Sequence, residues 1–254
     1  MKLKDKVAGV TGSARGLGWE MADAFAQEGA TVIICDLNET DVQQAVARLG
    51  VSTDRVLGIQ ADVSTQQGVC RLFQTIANKF GRLDVWVNNA GFSWPANRKG
   101  LLEVVDIPLQ DWMAVLNTNL TGMFLCSREA LKMMRAQRSG VIINITSNHG
   151  REGRVRMGPY CASKFGAEGL SQVMHLENSA YNIRVNALKP GGPTATERHR
   201  GYSWNKGKKA FRPDIIRPCA VYLASDDAAG ISGQSFDAAK WNKEHGIEIE
   251  YITE

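Results

Sequence analysis

The feature that most constrains this chain is a repeated alternation of short apolar, β-branched runs with longer stretches of helical spacing. The runs fall at 6–10 (KVAGV), 30–35 (ATVIIC), 55–60 (RVLGIQ), 83–88 (LDVWVN), 140–146 (GVIINIT), 183–188 (IRVNAL) and 233–238 (GQSFDA). Most are nearly continuous in apolar residues, which is the pattern of strands covered on both faces. Helical candidates between them include 15–28, 65–80, 109–138 with a break near Asn117–Asn119, 159–179 and 213–224. Gly29 and Gly81 stand where helix ends call for a left-handed residue. The alternation predicts an α/β fold, a doubly wound parallel β-sheet flanked by helices on both faces. With no linker, repeat or low-complexity segment, residues 1–254 read as a single domain. Two regions depart from the pattern. Residues 191–212, rich in glycine and basic residues, read as a lid or binding loop over the site. In the tail, 239–254, the alternation of Ile247, Ile249 and Tyr251 suggests an edge strand.

Bulk properties narrow the function classes. A net charge of +4 gives no global attraction to nucleic acid or to an anionic membrane. The apolar run after the first lysines breaks at Thr11-Gly12, too early for a signal peptide, and no stretch approaches the roughly 18 residues of a membrane span. The expectation is a soluble, cytoplasmic protein. Cys35, Cys70, Cys126, Cys161 and Cys219 contain no C-x-x-C pair, and His149, His175, His199 and His245 show no ligand spacing, so no metal site is expected.

The first strand and first helix are joined by Val10–Gly18, VTGSARGLG, with glycines at 12, 16 and 18. Small residues at such a junction let backbone N–H groups approach a pyrophosphate at a helix N-terminus. Asp36 ends the second strand, near where a carboxylate meets an adenosine ribose. Its charge would repel a 2′-phosphate and select NAD(H) over NADP(H). Arg15 argues the other way, since a guanidinium could pair with that phosphate, so NADP(H) stays open. Asp36 could instead cap the next helix. Asp62 and Val63, just past the third strand, could receive the adenine; Asp62 could equally be a helix cap, although Ser64 is the better candidate for that. Asn88-Asn89-Ala90-Gly91 follows the fourth strand. Ligands of parallel sheets bind outside the carboxyl ends of the strands, and each of these motifs falls there.

Tyr160 and Lys164 lie one helical turn apart just after Pro159, so a phenol and an ammonium share one face. Taken with Thr11–Gly18, Asp62-Val63, Asn88–Gly91, residues 117–124 (NTNLTGMF), 143–147 (INITS) and Pro190-Gly191, this pair makes the chain resemble the short-chain dehydrogenase/reductase family over nearly its whole length. The resemblance implies a Rossmann-like domain, metal-independent hydride transfer between a nicotinamide and an alcohol/carbonyl pair, and a catalytic set of Asn119, Ser147, Tyr160 and Lys164. It also implies cofactor contacts at Gly12, Ser13, Arg15, Gly16, Leu17, Gly18, Asp36, Asp62, Val63, Asn89, Tyr160, Lys164, Pro190 and Gly191. Tyr160 would be the acid or base, Lys164 would favour its phenolate and hold the ribose, Ser147 would hold the substrate oxygen, and Asn119 would support a water chain. A homodimer or homotetramer, built on the helices carrying NLTGMF and Tyr160–Lys164, is implied as well. Two features depart from the family pattern. Threonines follow Pro190 by four (Thr194) and six (Thr196) residues where the family has one at five, and FDAAK replaces the family's V-D-G-G.

The substrate pocket is expected from Ser147, Asn148 and His149, residues 150–158, residues 92–99 and the 191–212 loop. Arg151, Arg154 and Arg156 alternate in one wall, and Arg198, His199, Arg200, Lys206, Lys208, Lys209 and Arg212 crowd the loop. Either an anionic alcohol or carbonyl compound is drawn in by this field, or the charges merely solvate the loop. Trp94 and Trp204 could stack on substrate or simply pack. His149 and Arg154 are the candidate substrate contacts. A non-catalytic dinucleotide-binding sensor or scaffold of the same fold is the alternative reading.

Overall fold

The computed structural model describes residues 1–94, 101–196 and 209–253. Seven strands form one parallel sheet: β1 (Val7–Thr11), β2 (Thr31–Asp36), β3 (Val56–Gln60), β4 (Val85–Asn88), β5 (Gly140–Ile145), β6 (Ile183–Lys189) and β8 (Ser235–Asp237). Their order across the sheet is β3-β2-β1-β4-β5-β6-β8, and every neighbouring pair is parallel. The order reverses between β1 and β4, and this switch point opens a crevice at the strands' carboxyl ends.

Both faces are covered, as the continuous apolar runs require. On one side α1 (Gly16–Gln27), α2 (Glu39–Leu49) and α7 (Arg217–Ala224) pack on Val10, Ile34 and Ile143 through Met21, Phe25, Val42 and Leu223. On the other, α3 (Gln66–Phe80), α5 (Gly122–Gln137) and α6 (Gly158–Asn178) pack on Ile33, Trp86 and Ile142 through Leu72, Ile76, Met134 and Ala167. Successive strand residues point to opposite faces, which is how Ile33 and Ile34, or Ile142 and Ile143, serve both layers.

The helix expected at 109–138 is α4 (Leu109–Leu116) joined to α5 by a π-helical turn, Asn117–Thr121. The backbone stays helical through the interruption, so one wider turn replaces the expected break. Gly29 and Gly81 adopt positive φ behind α1 and α3. Two capping expectations change. Thr65 caps α3 by accepting from Gly68 N, while Ser64 bonds to Asp62 instead; and α2 is capped by Asn38, not Asp36.

Across the sheet's α5/α6 face runs a buried amide ladder. Asn88 Nδ2 donates to Asn144 Oδ1 and Ser127 Oγ, both at 2.8 Å, and Asn144 Nδ2 donates to Ser171 Oγ at 2.8 Å. Trp86 Nε1 closes it on Asn88 Oδ1 at 2.9 Å. Because each buried group has a partner, the ladder fixes the register of β4 and β5 against the helices.

The tail departs from expectation. After β8, FDAAK turns directly into α8 (Ala238–Glu244), capped by Asp237, and β9 (Tyr251–Thr253) follows. This strand does not extend the main sheet. It pairs antiparallel with β7 (Lys209–Phe211), and it starts at Tyr251, leaving Ile247 and Ile249 outside it. Phe211 also bridges to Thr194, so the tail reaches the cleft wall through two steps of backbone pairing.

Candidate active site

A cavity of about 550 Å³ lies over the carboxyl ends of β1, β2, β4, β5 and β6. One side of it is the turn between β1 and α1. Gly12, with φ of 62°, passes over Ala90, and Gly18 packs so tightly on Gly12 O and Asn89 that a methyl group there would clash. Gly12, Arg15, Gly16 and Leu17 line the cavity. Ser13 and Gly18, expected as cofactor contacts, are not among the residues that line this cavity. The Ser13 side chain is fully buried, donating to Val10 O at 2.7 Å and accepting from Cys35 N at 2.9 Å, and so stitches β1 to β2. Thr11, which opens the glycine motif, does similar work: its hydroxyl accepts from Asn89 N and Ala90 N at 3.0 Å. Asn89 Nδ2 in turn donates to Thr11 O and Gly12 O, tying the end of β4 to the glycine turn.

Asp36 stands on the same wall, its carboxylate accepting from Leu37 N at 2.8 Å and Ala14 N at 3.1 Å. These bonds pin a negative charge beside the glycine turn. Asp62 and Val63 line the cavity beyond it. A pyrophosphate approached by glycine backbone and a ribose met by a fixed carboxylate need this pair of features, so the residues present fit a dinucleotide.

The other side is built by β5 and α6. Ser147 follows β5, and its hydroxyl accepts from His149 N at 3.2 Å as the chain makes a 3₁₀ turn, Asn148–Gly150. Pro159 opens α6 and sets Tyr160 and Lys164 on the cavity side. Lys164 is buried and donates to Ile145 O at 2.7 Å, its Nζ lying 5.7 Å from the centre of the Tyr160 ring. Burial pushes the Tyr160 phenol above its ordinary value, and its hydrogen-bond interaction with Ser147 pulls the other way. Burial also pushes the Lys164 amine down, to about 8, against the pull of the Glu168 charge.

Asn119 sits in the π-helical turn, and its side chain is fully engaged. Its Oδ1 accepts from Phe92 N, while Nδ2 donates to Phe92 O, each at 2.9 Å, and also to Ser163 Oγ at 3.1 Å. Ser163 Oγ donates to Tyr160 O at 2.7 Å, linking the turn to α6. Between Asn119 and Lys164 lies a second cavity of about 10 Å³, about one water in size.

On the substrate side, His149 and Arg154 both line the cavity. The His149 ring meets Tyr160 edge-on, with centroids 6.3 Å apart, and its Nδ1 is buried without a hydrogen-bond partner among the described residues. Burial, then the Arg154 charge, lowers its pKa. Glu152 and Met157, within the expected 150–158 segment, line the same region, as does Leu101, which was not singled out from sequence. Arg151 and Arg156 leave the wall: Arg151 lies 3.8 Å from Glu168, and Arg156 pairs with Glu103 at 3.1 Å. Arg212 is likewise paired with Glu250 and Asp214. Trp94 is buried against Met157 and Cys161 and packs. Residues 95–99, Arg198, His199, Arg200, Trp204, Lys206 and Lys208 lie outside the described residues.

Pro190 and Gly191 line the cavity, held to the 3₁₀ turn after β5 where Asn148 Nδ2 donates to Gly191 O at 3.2 Å. Both threonines after them are on the cavity wall; Thr194 Oγ1 donates to Gly192 O at 3.2 Å and Thr196 approaches Gly16. Among the described residues no three of His, Cys, Asp and Glu gather as metal ligands, and no helix is long and apolar enough to cross a membrane.

Fold and cleft together define a doubly wound α/β protein in which a glycine turn and a Ser/Tyr/Lys cluster line one cavity. The comparisons give the family. The model of the short chain dehydrogenase family matches residues 6–205, and the chain belongs to that family, an oxidoreductase family. It is 36% identical to the D-threitol dehydrogenase of Mycolicibacterium smegmatis over 91% of this chain and 90% of that one. It is 35% identical to a 3-oxoacyl-[acyl-carrier-protein] reductase of Synechocystis over 92% and 96%. A crystal structure of a putative short-chain alcohol dehydrogenase from Sinorhizobium meliloti superposes with a TM-score of 0.84 at 30% identity, covering 93% of this chain and 96% of that one.

Proposed function

We propose that the protein is an NAD(H)-dependent oxidoreductase interconverting an alcohol and a carbonyl compound, with Tyr160 as acid–base, in a single catalytic domain spanning 1–254. The observation that carries this reading is the convergence of Ser147, Tyr160 and Lys164 on the cavity that Asp36 and the glycine turn also line. The bound nicotinamide supplies or takes up hydride. Gly12, Arg15, Gly16, Leu17, Asp36, Asp62, Val63 and Asn89 would hold the nucleotide, with Lys164, Pro190 and Gly191 at its nicotinamide end. Asp36 favours NAD(H), because its fixed carboxylate repels a 2′-phosphate.

Ser147 would hold the substrate oxygen beside the phenol. At neutral pH a buried phenol keeps its proton, so Tyr160 stands ready as the acid for carbonyl reduction. In the oxidation direction the phenol must first lose that proton, which Lys164, as a cation, favours. Asn119 shapes the water-sized cavity next to Lys164, a route for the proton to be replaced. Support for a homodimer or homotetramer comes from Phe124 on α5 and from Phe165, Val173 and Leu176 on α6, all exposed. For the substrate, Arg154 is the one member of the Arg151, Arg154 and Arg156 group on the cavity wall. An alcohol or carbonyl compound carrying an anionic group is the substrate class that a cation at this place in the wall favours.

Tyr160→Phe tests the assignment. A positioned acid–base group is typically worth about 10²–10⁴ in rate. The variant should lose at least about 100-fold in kcat on any active alcohol or ketone while binding NADH as tightly as the parent; retained turnover would remove the assignment.

A further inference from the structure

We propose that Glu168 is a positioning residue for Lys164: its buried carboxylate, one turn further along the inner face of α6, keeps the amine protonated while the acid–base step runs. The proposal rests on the reading of Tyr160 and Lys164 as the proton-transfer pair.

Carboxylates are almost never buried unless paired, and Glu168 is only 8% exposed. Its local partners do not match its charge. Ser235 Oγ donates to Oε1 at 3.0 Å, but a hydroxyl is neutral. Arg151 reaches Oε2 at 3.8 Å from a side chain more than half exposed, where water screens it. Lys164 is buried in its turn, with its hydrogen bond going to a backbone carbonyl and not to an acid. Two opposite charges thus sit four residues apart on one helix face, both withdrawn from water, where their attraction is least screened.

The turn after β5 presses on both. A Cβ at Gly150 would lie 2.8 Å from Lys164 O and 3.2 Å from Glu168 Cγ, so glycine lets this turn close directly over the pair. The same turn presents Ser147 and His149 to the cavity. Other charged or titratable groups on the elements packed around α6 include Arg151 on that turn, Arg184 and Lys189 on β6, Asp237 paired with Lys189 in register on β8, buried Asp111 on α4, and Arg128, Glu129, Lys132 and Arg135 on α5; His149 and Tyr160 flank the cleft side. Arg151 and Lys189 are cations and favour loss of the Lys164 proton. Glu168 opposes them, in the direction already seen for its charge on the amine.

Glu168→Gln keeps the volume and the acceptor for Ser235 and removes the charge. The direct readout is the pH titration of Lys164 in protein labelled at the lysine ε-carbon, followed by NMR without cofactor or substrate. The midpoint should fall by at least about half a pH unit in Glu168→Gln, and by a smaller step in Glu168→Asp, whose shorter side chain holds the same charge further from the amine. In parallel, the alkaline limb of kcat/KM for ketone reduction should move to lower pH in Glu168→Gln, with Kd for NADH unchanged. Titrations that superpose in folded Glu168→Gln overturn the proposal, as does a shifted titration with an unmoved pH profile. Should Glu168→Gln not fold, a Glu168→Asp midpoint and profile that both move toward lower pH sustain the coupling, and unmoved ones end it. If the titration shifts while the parent turns over no alcohol or ketone, the Glu168–Lys164 coupling stands and the functional reading fails.

Discussion

Replacing Lys164 with methionine should make the protein more stable and inactive. Lys164 is 6% exposed, and burial takes the pKa of its amine from 10.5 to about 8. That drop corresponds to about 3 kcal/mol of stability forgone at neutral pH. Methionine is similarly long and unbranched and carries no charge to desolvate. It also forfeits the bond to Ile145 O, a cost of about 1 kcal/mol. The net expectation is a gain of about 2 kcal/mol, or a Tm rise of roughly 4–8 °C for a chain of this size. The sign depends on pH in a defined way. Below about 8 the folded and unfolded chains both carry the ammonium, and the parent bears the full penalty. Between about 8 and 10.5 the unfolded chain binds the proton that the folded one has released, so parent stability rises with pH. Above 10.5 both are neutral and the penalty is gone. Thermal unfolding by circular dichroism at about pH 7 and about pH 10 reads this directly. The advantage of Lys164→Met should shrink steeply between the two. A lower Tm at neutral pH, or an advantage independent of pH, would refute the reasoning.

Two further outcomes concern the cleft walls. Asp36→Asn removes the charge beside the glycine turn, and the ratio of kcat/KM with NADH to that with NADPH should fall at least about tenfold, about 1.4 kcal/mol; an unchanged ratio would place discrimination elsewhere. Shortening the chain after Gly246 removes β9, on which β7 and through it Thr194 and Ala195 lean. Steady-state kinetics should show KM for nucleotide or substrate rising at least about threefold while kcat changes less, and identical constants would show that the pairing does not shape the wall.

Much of the fold was legible because a strand buried on both faces leaves a continuous apolar run, as at 30–35 and 140–146, that few other environments tolerate. Tyr160 and Lys164 could be read as neighbours because one helical turn sets their spacing, whereas Ser147 joined them only through the family resemblance. Direction was harder. Ser13 lies in the glycine motif yet points into the sheet, and Arg151 and Arg156 alternate with Arg154 yet pair with Glu168 and Glu103. Sequence shows that a residue is near a turn, but which way its side chain leaves depends on backbone angles set by distant packing; Arg156, at φ of 62°, is one such case. The choice of Thr65 over Ser64 as cap turned on a single residue of register at a helix start, where either hydroxyl suffices. The pairing of β7 with β9 joins segments some forty residues apart, and no local period announces such a partner. Glu168 could have been noticed as the next residue on the Lys164 face, but its burial could not.

The reversal of strand order between β1 and β4 divides the sheet into a half made by the first sixty residues and a half made by the rest of the chain. Asp36 belongs to the first and Tyr160 to the second, and the cavity spans the division. A molecule long enough to touch both therefore acts as a splint across two wings that meet in the ladder of β1 with β4. Its departure would leave those wings joined by the backbone hydrogen bonds of β1 with β4, by the bonds of Asn89 to the glycine turn, and by the helices packed over the seam.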